Sequence, residues 1–230
     1  FKELNEKFEK RYDIDLLNLV SHIKSDVNHI SKMFDIGQGG IILSDYEKFD
    51  IPVSEVARHF KKLIDHNYKF KIIKSFTDKT IANPESEEKY FLEKFYEDSE
   101  KSILEKTNVC ITGHMTLLEI LVDNILSNTN KHGFDEESEY NKLNIEFIYQ
   151  NDYLKIKIQN NGKPFPKGFD KSKFIAKFST ANREIGTGLG GYDINRIAKY
   201  FGNEDWKLNL SEDSEFTVSF EFNFKLNFLA

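Results

Sequence analysis

Leu16, Val20, Ile23, Val27, Ile30 and Phe34 recur at alternating offsets of four and three, the apolar seam of a helix that packs in a bundle or coiled coil. Gly37-Gln38-Gly39-Gly40 stops that helix, and a second is predicted from about Asp50, with Pro52 in its first turn and Val56, Phe60 and Leu63 on one face. The period then shortens. Lys69 to Phe76 alternates loosely and reads as a strand. Asn83 to Lys106 is charged and aromatic, with Tyr90, Phe91, Phe95 and Ile103 at helical spacing after a Pro84 turn, so it reads as an added helix. A short strand follows at Asn108 to Thr112.

Thr116 and Glu119 stand three apart ahead of an apolar run, the signature of a capping box at a helix start. Leu117, Leu118, Leu121, Ile125 and Leu126 give this helix a core face. Asn124, Asn128 and Lys131 recur beside it at offsets of four and three, a polar stripe suited to lining a cavity. Leu143 to Tyr149 and Tyr153 to Gln159 alternate apolar and polar around Gln150-Asn151-Asp152, a hairpin whose second strand ends in the turn Asn160-Asn161-Gly162. A loop from Lys163 to Ile185 leads to Gly186-Thr187-Gly188-Leu189-Gly190-Gly191, then to a helix ending near Tyr200 and strands near Trp206 to Leu210 and Phe216 to Leu226. These elements, helices interspersed with strands, predict an α+β chain.

Composition narrows the function. Lys and Arg number 32 against 38 Asp and Glu, a balance that argues against a broad nucleic-acid surface while leaving room for a local phosphate pocket. Cys110 is the single cysteine, and the six His show no metal-ligand spacing, so a reducing cytoplasmic setting is expected. No apolar run approaches the ~18 residues of a membrane span. The chain opens on Phe1 and reads as a fragment, whose parent could carry a membrane anchor elsewhere.

The glycine run carries the first chemical signal. Without Cβ atoms its amides can approach phosphate oxygens, and the helix opened by Tyr192-Asp193-Ile194 presents its positive end to them. Alone, the run reads equally as a tight turn. Asn128 on a helix, Gly162 at a strand end and the glycines between loop and helix fall, however, in one order. In that order the chain resembles the GHKL superfamily of Bergerat-fold ATP-binding domains, and most nearly the catalytic domain of sensor histidine kinases. The resemblance covers roughly residues 50 to 226, apart from the insertion near 83–106. It implies a two-layer α/β sandwich with a mixed, mainly antiparallel sheet preceded by a dimerisation-type helix, and it divides the chain into a helical dimerisation and linker segment, 1–48, and an ATP-binding catalytic domain, 49–230.

The resemblance implies roles. Asn128 is matched to the residue that coordinates Mg²⁺ through its side-chain oxygen, and Lys131 and His132 to positions that contact phosphate; His132 reads equally as a partner of the helix dipole. Asn160 stands where an Asp usually accepts a hydrogen bond from the adenine amine, and an Asn carbonyl can accept the same bond. Asn160-Asn161-Gly162 is also credible as a simple turn, with Gly162 needed for its φ. The loop from Lys163 resembles a short ATP lid, with Phe178 and Thr180 near its end, and Gly186, Thr187, Gly188, Leu189 and Gly190 match the phosphate-binding motif. Gly191 replaces a usual Leu, which predicts looser helix packing.

Asn124 selects among chemistries. Relatives that hydrolyse ATP carry a Glu there to activate water, and an amide cannot act as that base. Asp123 points about 100° away around the helix, and Glu119 is out of register. The expectation is a Mg-ATP-dependent histidine kinase of a two-component system, with Asn124, Asn128 and Lys131 as catalytic residues and ATP and Mg²⁺ as cofactors. The implied partners are a phosphoacceptor histidine helix of the same or a partner protomer, a response regulator and a second copy in a homodimer. The alternatives are an ATP-driven conformational switch or a nucleotide-binding pseudokinase. His22 lacks the flanking acid and Pro of a phosphoacceptor motif and reads as a surface helical residue, which places the acceptor upstream.

Overall fold

Alternate residues of the predicted hairpin form one buried face: Leu143, Ile145, Phe147 and Tyr149 on one strand, Leu154, Ile156 and Ile158 on the next. The computed structural model describes residues 41–63, 68–81, 89–150, 152–178, 188–211 and 214–229. It separates two units, Phe1–Ile42 and Leu43–Ala230. The apolar seam from Leu16 to Phe34 and His22 lie outside the described residues.

The strands are β1 (Phe49–Pro52), β2 (Lys71–Asp78), β3 (Val109–Gly113), β4 (Lys142–Gln150), β5 (Tyr153–Asn160), β6 (Lys207–Leu210) and β7 (Val218–Phe228). They form a sheet in the order β1-β3-β7-β5-β4-β2, with β6 also on β7. The β2–β4 pair is parallel and the other pairings are antiparallel. The helices are α1 (Val53–Lys61), α2 (Lys89–Leu104), α3 (Met115–Asn128), α4 (Lys171–Phe174) and α5 (Gly190–Tyr200), with a π turn at Thr129–Gly133.

Helices α3 and α5 lie against each other. Leu117, Leu118, Leu121, Ile125, Ile194 and Ile197 are buried with the apolar sheet face that includes Phe220, Phe222 and Phe224. The opposite sheet face carries the cross-strand pairs Lys155–Glu221 (3.9 Å) and Lys157–Glu146 (4.0 Å). Such pairs add little stability, but their polarity keeps that face in water. The result is the expected two-layer α/β sandwich with a mixed, mainly antiparallel sheet.

Three local expectations change. The segment read as the start of a helix at Asp50 is strand β1, paired with β3 in the register Asp50↔Thr112, and α1 begins only after Pro52. Pro52 is compatible with both roles, having no N–H for a ladder and a fixed φ suited to a helix entrance. Helix α3 starts one residue before Thr116, capped by His114, whose Nδ1 accepts the Thr116 N–H at 3.2 Å. Glu119 pairs instead with His59 at 3.3 Å. The predicted loop from Lys163 contains α4, capped by Asp170, whose Oδ1 accepts the Lys173 N–H at 3.0 Å.

The added helix α2 packs on α1 and β2. Ser102 Oγ donates to Asp78 at 2.6 Å, beside Thr80 N–H at 2.8 Å and the Lys106 ammonium at 3.6 Å. Burial of Asp78 acts to raise its pKa, yet these donors and the lysine charge outweigh it and hold the carboxyl below its ordinary value. The insertion is therefore tied to the sheet by a satisfied buried carboxylate.

Candidate nucleotide-binding site

Asn128 is the last residue of α3, and its side chain meets the start of α5. A Cβ placed on Gly190 would fall 3.1 Å from Asn128 Nδ2 and 3.3 Å from Oδ1, so hydrogen at position 190 leaves the amide its place. Two motifs distant in sequence thus share one contact. Asn124, one turn earlier, is half-buried like Asn128. Asp123 acts on Tyr68, whose phenol is raised first by burial and then by the Asp123 charge. No acidic side chain replaces Asn124 at its own position.

Beyond Asn128 the backbone widens into the π turn, which holds Lys131 and His132. The offset of three from Asn128 therefore no longer marks one α-helical face, a departure from the predicted stripe. Both side chains reach solvent. Partial desolvation, then the adjacent Lys131 charge, lowers the His132 pKa. The ring at neutral pH offers a neutral N–H, and Lys131 is the cation of the pair.

The segment predicted as a lid is described up to Phe178, and the chain is described again from Gly188. Phe178 N–H donates to Gly188 O at 3.1 Å, and both residues have positive φ, 60° and 70°. Phe178 is 64 % exposed. Lys177 lies 5.2 Å from its ring centroid and 5.6 Å from that of Tyr192. Leu189 is buried and precedes α5, whose Asp193 N–H returns to Leu189 O at 2.8 Å. Thr180, Gly186 and Thr187 lie outside the described residues.

Gly191 corrects the expectation of looser packing. A Cβ there would lie 2.0 Å from the Phe174 carbonyl oxygen, so its absence lets α4 dock directly on α5. Phe174 continues into an aromatic cluster with Phe165, Trp206 and Phe220. Trp206, stacked on Phe222 at 5.5 Å, donates its indole N–H to Asn195 on α5 at 3.1 Å. The first part of the predicted lid is thus anchored in the core.

The turn after β5 is more tightly bonded still. Asn160 is 4 % exposed; its Oδ1 accepts the Gly162 N–H at 3.1 Å and its Nδ2 donates to Thr129 Oγ1 at 3.3 Å. Asn161 accepts the Lys142 N–H at 2.7 Å and donates to Tyr140 O at 2.8 Å. Thr217 donates to Gly162 O at 2.5 Å. Gly162 has no positive φ; it is required because a Cβ would lie 2.5 Å from the Gly133 carbonyl oxygen. Lys163 N–H donates to that same oxygen at 2.7 Å. Thr129 and Thr217 were not singled out in the sequence. Adjacency of Thr129 to Asn128 was the available signal; Thr217 had none, since its partner Gly162 lies in a turn far away in sequence.

Asn128 offers an amide oxygen beside the glycine-lined start of a helix, a donor type that suits a hard cation and a helix end that suits an anion. Among the described residues no group of three His, Cys, Asp or Glu could hold a metal by itself, and no helix is long and apolar enough to cross a membrane. A divalent ion held by Asn128 would therefore take its remaining ligands from oxygens other than a cluster of such side chains.

Comparison with known proteins bears on the family and the fold. The family described as "Histidine kinase-, DNA gyrase B-, and HSP90-like ATPase" matches residues 113–226. The fold is similar to "Mycobacterial sensor histidine kinase MprB", with a TM-score of 0.50 and 14 % identity over 80 % of this chain and 99 % of that one. It is also similar to a nucleotide-free form of the catalytic domain of histidine kinase ThkA, with a TM-score of 0.50 and 17 % identity over 78 % of this chain and 97 % of that one. No curated protein matches by sequence.

Proposed function

Through residues 113–226 this chain belongs to the histidine kinase-, DNA gyrase B- and HSP90-like ATPase family, and we propose that it is the ATP-binding catalytic domain of a sensor histidine kinase. The family fold implies ATP binding. The finer reading is supported chiefly by one observation: Asn128 meets Gly190 at the head of α5, while one turn earlier Asn124 supplies no base for water. An imidazole acceptor is already a nucleophile, so phosphoryl transfer needs positioning and charge neutralisation more than a general base.

In this reading Asn128 would hold Mg²⁺ through its side-chain oxygen, and the ion would supply neutralisation of phosphate charge. The amides of Gly188, Leu189 and Gly190 and the Lys131 ammonium hold phosphate oxygens, with His132 a neutral donor nearby. Asn160 and Gly162 border the base. The acceptor imidazole nitrogen would form a bond to the γ-phosphorus as the bond from that phosphorus to the β,γ-bridging oxygen breaks, ADP leaving with that oxygen and the imidazole's N–H proton passing to solvent. Acceptor helix, response regulator, homodimer and cytoplasmic location all belong to this proposal.

The test is transfer of label from γ-labelled ATP in the full-length protein. Acid-labile, alkali-stable label on a histidine is the expected result. An acid-stable label, or steady ATP hydrolysis without a labelled protein, overturns it.

A further inference from the structure

Three elements meet on Trp206. Its indole N–H donates to Asn195 Oδ1 on α5 at 3.1 Å, and its ring stacks on Phe222 of β7 at 5.5 Å. From α4, the Lys171 ammonium lies 4.0 Å from the ring centroid and donates to the Trp206 carbonyl oxygen. Burial lowers the Lys171 pKa, opposed by the charge of Asp205 and helped by that of Lys199. The π face and the carbonyl stand in for the water that this ammonium gives up. The other end of α4 touches α5 directly: Phe174, three residues on, sets its carbonyl oxygen where a Cβ of Gly191 would lie.

These contacts close a triangle. Phe174 rests α4 on the first turn of α5, Asn195 bonds Trp206 to α5, and Lys171 is the side that joins α4 to Trp206. The corner at Gly191 is next to Gly190, whose missing Cβ leaves room for the Asn128 amide. We propose that Lys171 is a positioning residue for nucleotide binding, holding α4 on Trp206 so that the head of α5 keeps its place against Asn128. The proposal rests on the reading of Asn128 and the α5 head as the end that holds phosphates. Lys171 acts through α5, since its ammonium is already committed to Trp206. A side chain that served folding alone would change Tm and leave the affinity of the folded protein as it was. Loosening the binding geometry instead lowers apparent affinity, in proportion to the fraction of molecules that lose it.

Mg-ATP binding is measured by calorimetry on this 230-residue chain, since the dissociation constant so obtained belongs to the folded fraction. Lys171→Met, which keeps an apolar stem and removes the charge, should raise that constant about fivefold or more. Lys171→Arg, which keeps a cation over the ring, should hold it within about twofold of wild type. Asn195→Ala opens the same triangle at another side, so it should weaken binding to a similar extent, and the double variant should be no more than about twofold weaker than either single one. Lys199→Met removes an exposed charge near the far end of α5 and should leave the constant within about twofold. An unchanged affinity in Lys171→Met, or in Asn195→Ala should the first variant not fold, overturns the proposal. So does a Lys171→Arg variant as weak as Lys171→Met, a double variant whose losses multiply, or an equal loss in Lys199→Met. With wild-type binding intact, these results leave the nucleotide reading standing. A wild-type chain that does not bind Mg-ATP overturns that reading and this proposal with it.

Discussion

The two ends of the candidate site are built differently. Around Asn160, Asn161 and Gly162, side-chain and backbone groups satisfy one another through bonds to Thr129, Lys142, Tyr140, Gly133 and Thr217. Around Asn128 the decisive feature is room: a missing Cβ at Gly190, a positive φ at Gly188, and cationic or neutral donors open to solvent. A base is a rigid plane read by fixed donors and acceptors, so a closed hydrogen-bonded turn suits it. Phosphates and their cation exchange ligands as a reaction proceeds, and a glycine-lined helix end accommodates that change. Substitutions should therefore damage folding at the first end and chemistry at the second.

Asn128→Ala is the most severe test of this contrast. It removes the oxygen proposed for Mg²⁺ and should lower phosphotransfer by about a hundredfold or more, with thermal melting nearly unchanged because the side chain is only half-buried. Retained transfer would remove Asn128 from the chemistry. Gly162→Ala should do the reverse. Its Cβ would meet the Gly133 carbonyl oxygen at 2.5 Å, and backbone cannot rotate away as a side chain can. Overpacking of this kind costs about 1–3 kcal/mol, and each kcal/mol lowers Tm by roughly 2–4 °C in a domain of this size. An unchanged Tm would mean that the Gly133–Gly162 approach is not a constraint on the fold.

Gly190→Ala separates the two cases within the glycine run. At 3.1–3.3 Å the new methyl meets the Asn128 amide, which can shift by rotating its side chain. Transfer should fall about tenfold, equivalent to about 1.4 kcal/mol, while Tm moves by less than about 2 °C. A loss of Tm comparable to that of Gly162→Ala would show that the proposed phosphate end is as tightly built as the proposed base end.

The sheet hairpin and α3 were legible in the sequence because burial imposes a strict period, as Leu143, Ile145, Phe147 and Tyr149 show. The ordered appearance of Asn128, Gly162 and the glycines carried the family. What escaped depends on contacts between distant segments. Nothing local marks His114 as the cap of α3, since its imidazole does what Ser or Thr usually does. Gly191 looked like a lost packing residue until the Phe174 carbonyl occupied the space. Gly162 looked like a φ requirement, whereas its constraint comes from Gly133 across the turn. Strand β1 is too short for alternation to declare it, and its register is supplied by β3.

Phe178 gives the smallest and most local test. Its φ of 60° places a Cβ where L-residues are strained, at a cost of about 1–2 kcal/mol. Glycine would remove that strain, but it adds backbone freedom to the unfolded chain and loses the Lys177 contact to the ring at 5.2 Å. The ring is 64 % exposed, so little apolar burial is lost. Phe178→Gly should therefore stabilise by no more than about 1 kcal/mol, seen as a small rise in urea midpoint at constant m-value. A fall instead would mean that the exposed ring is held by contacts worth more than the strain. In that case the Phe178–Gly188 closure would be a packed wall, and the contrast between a closed base end and an open phosphate end would weaken.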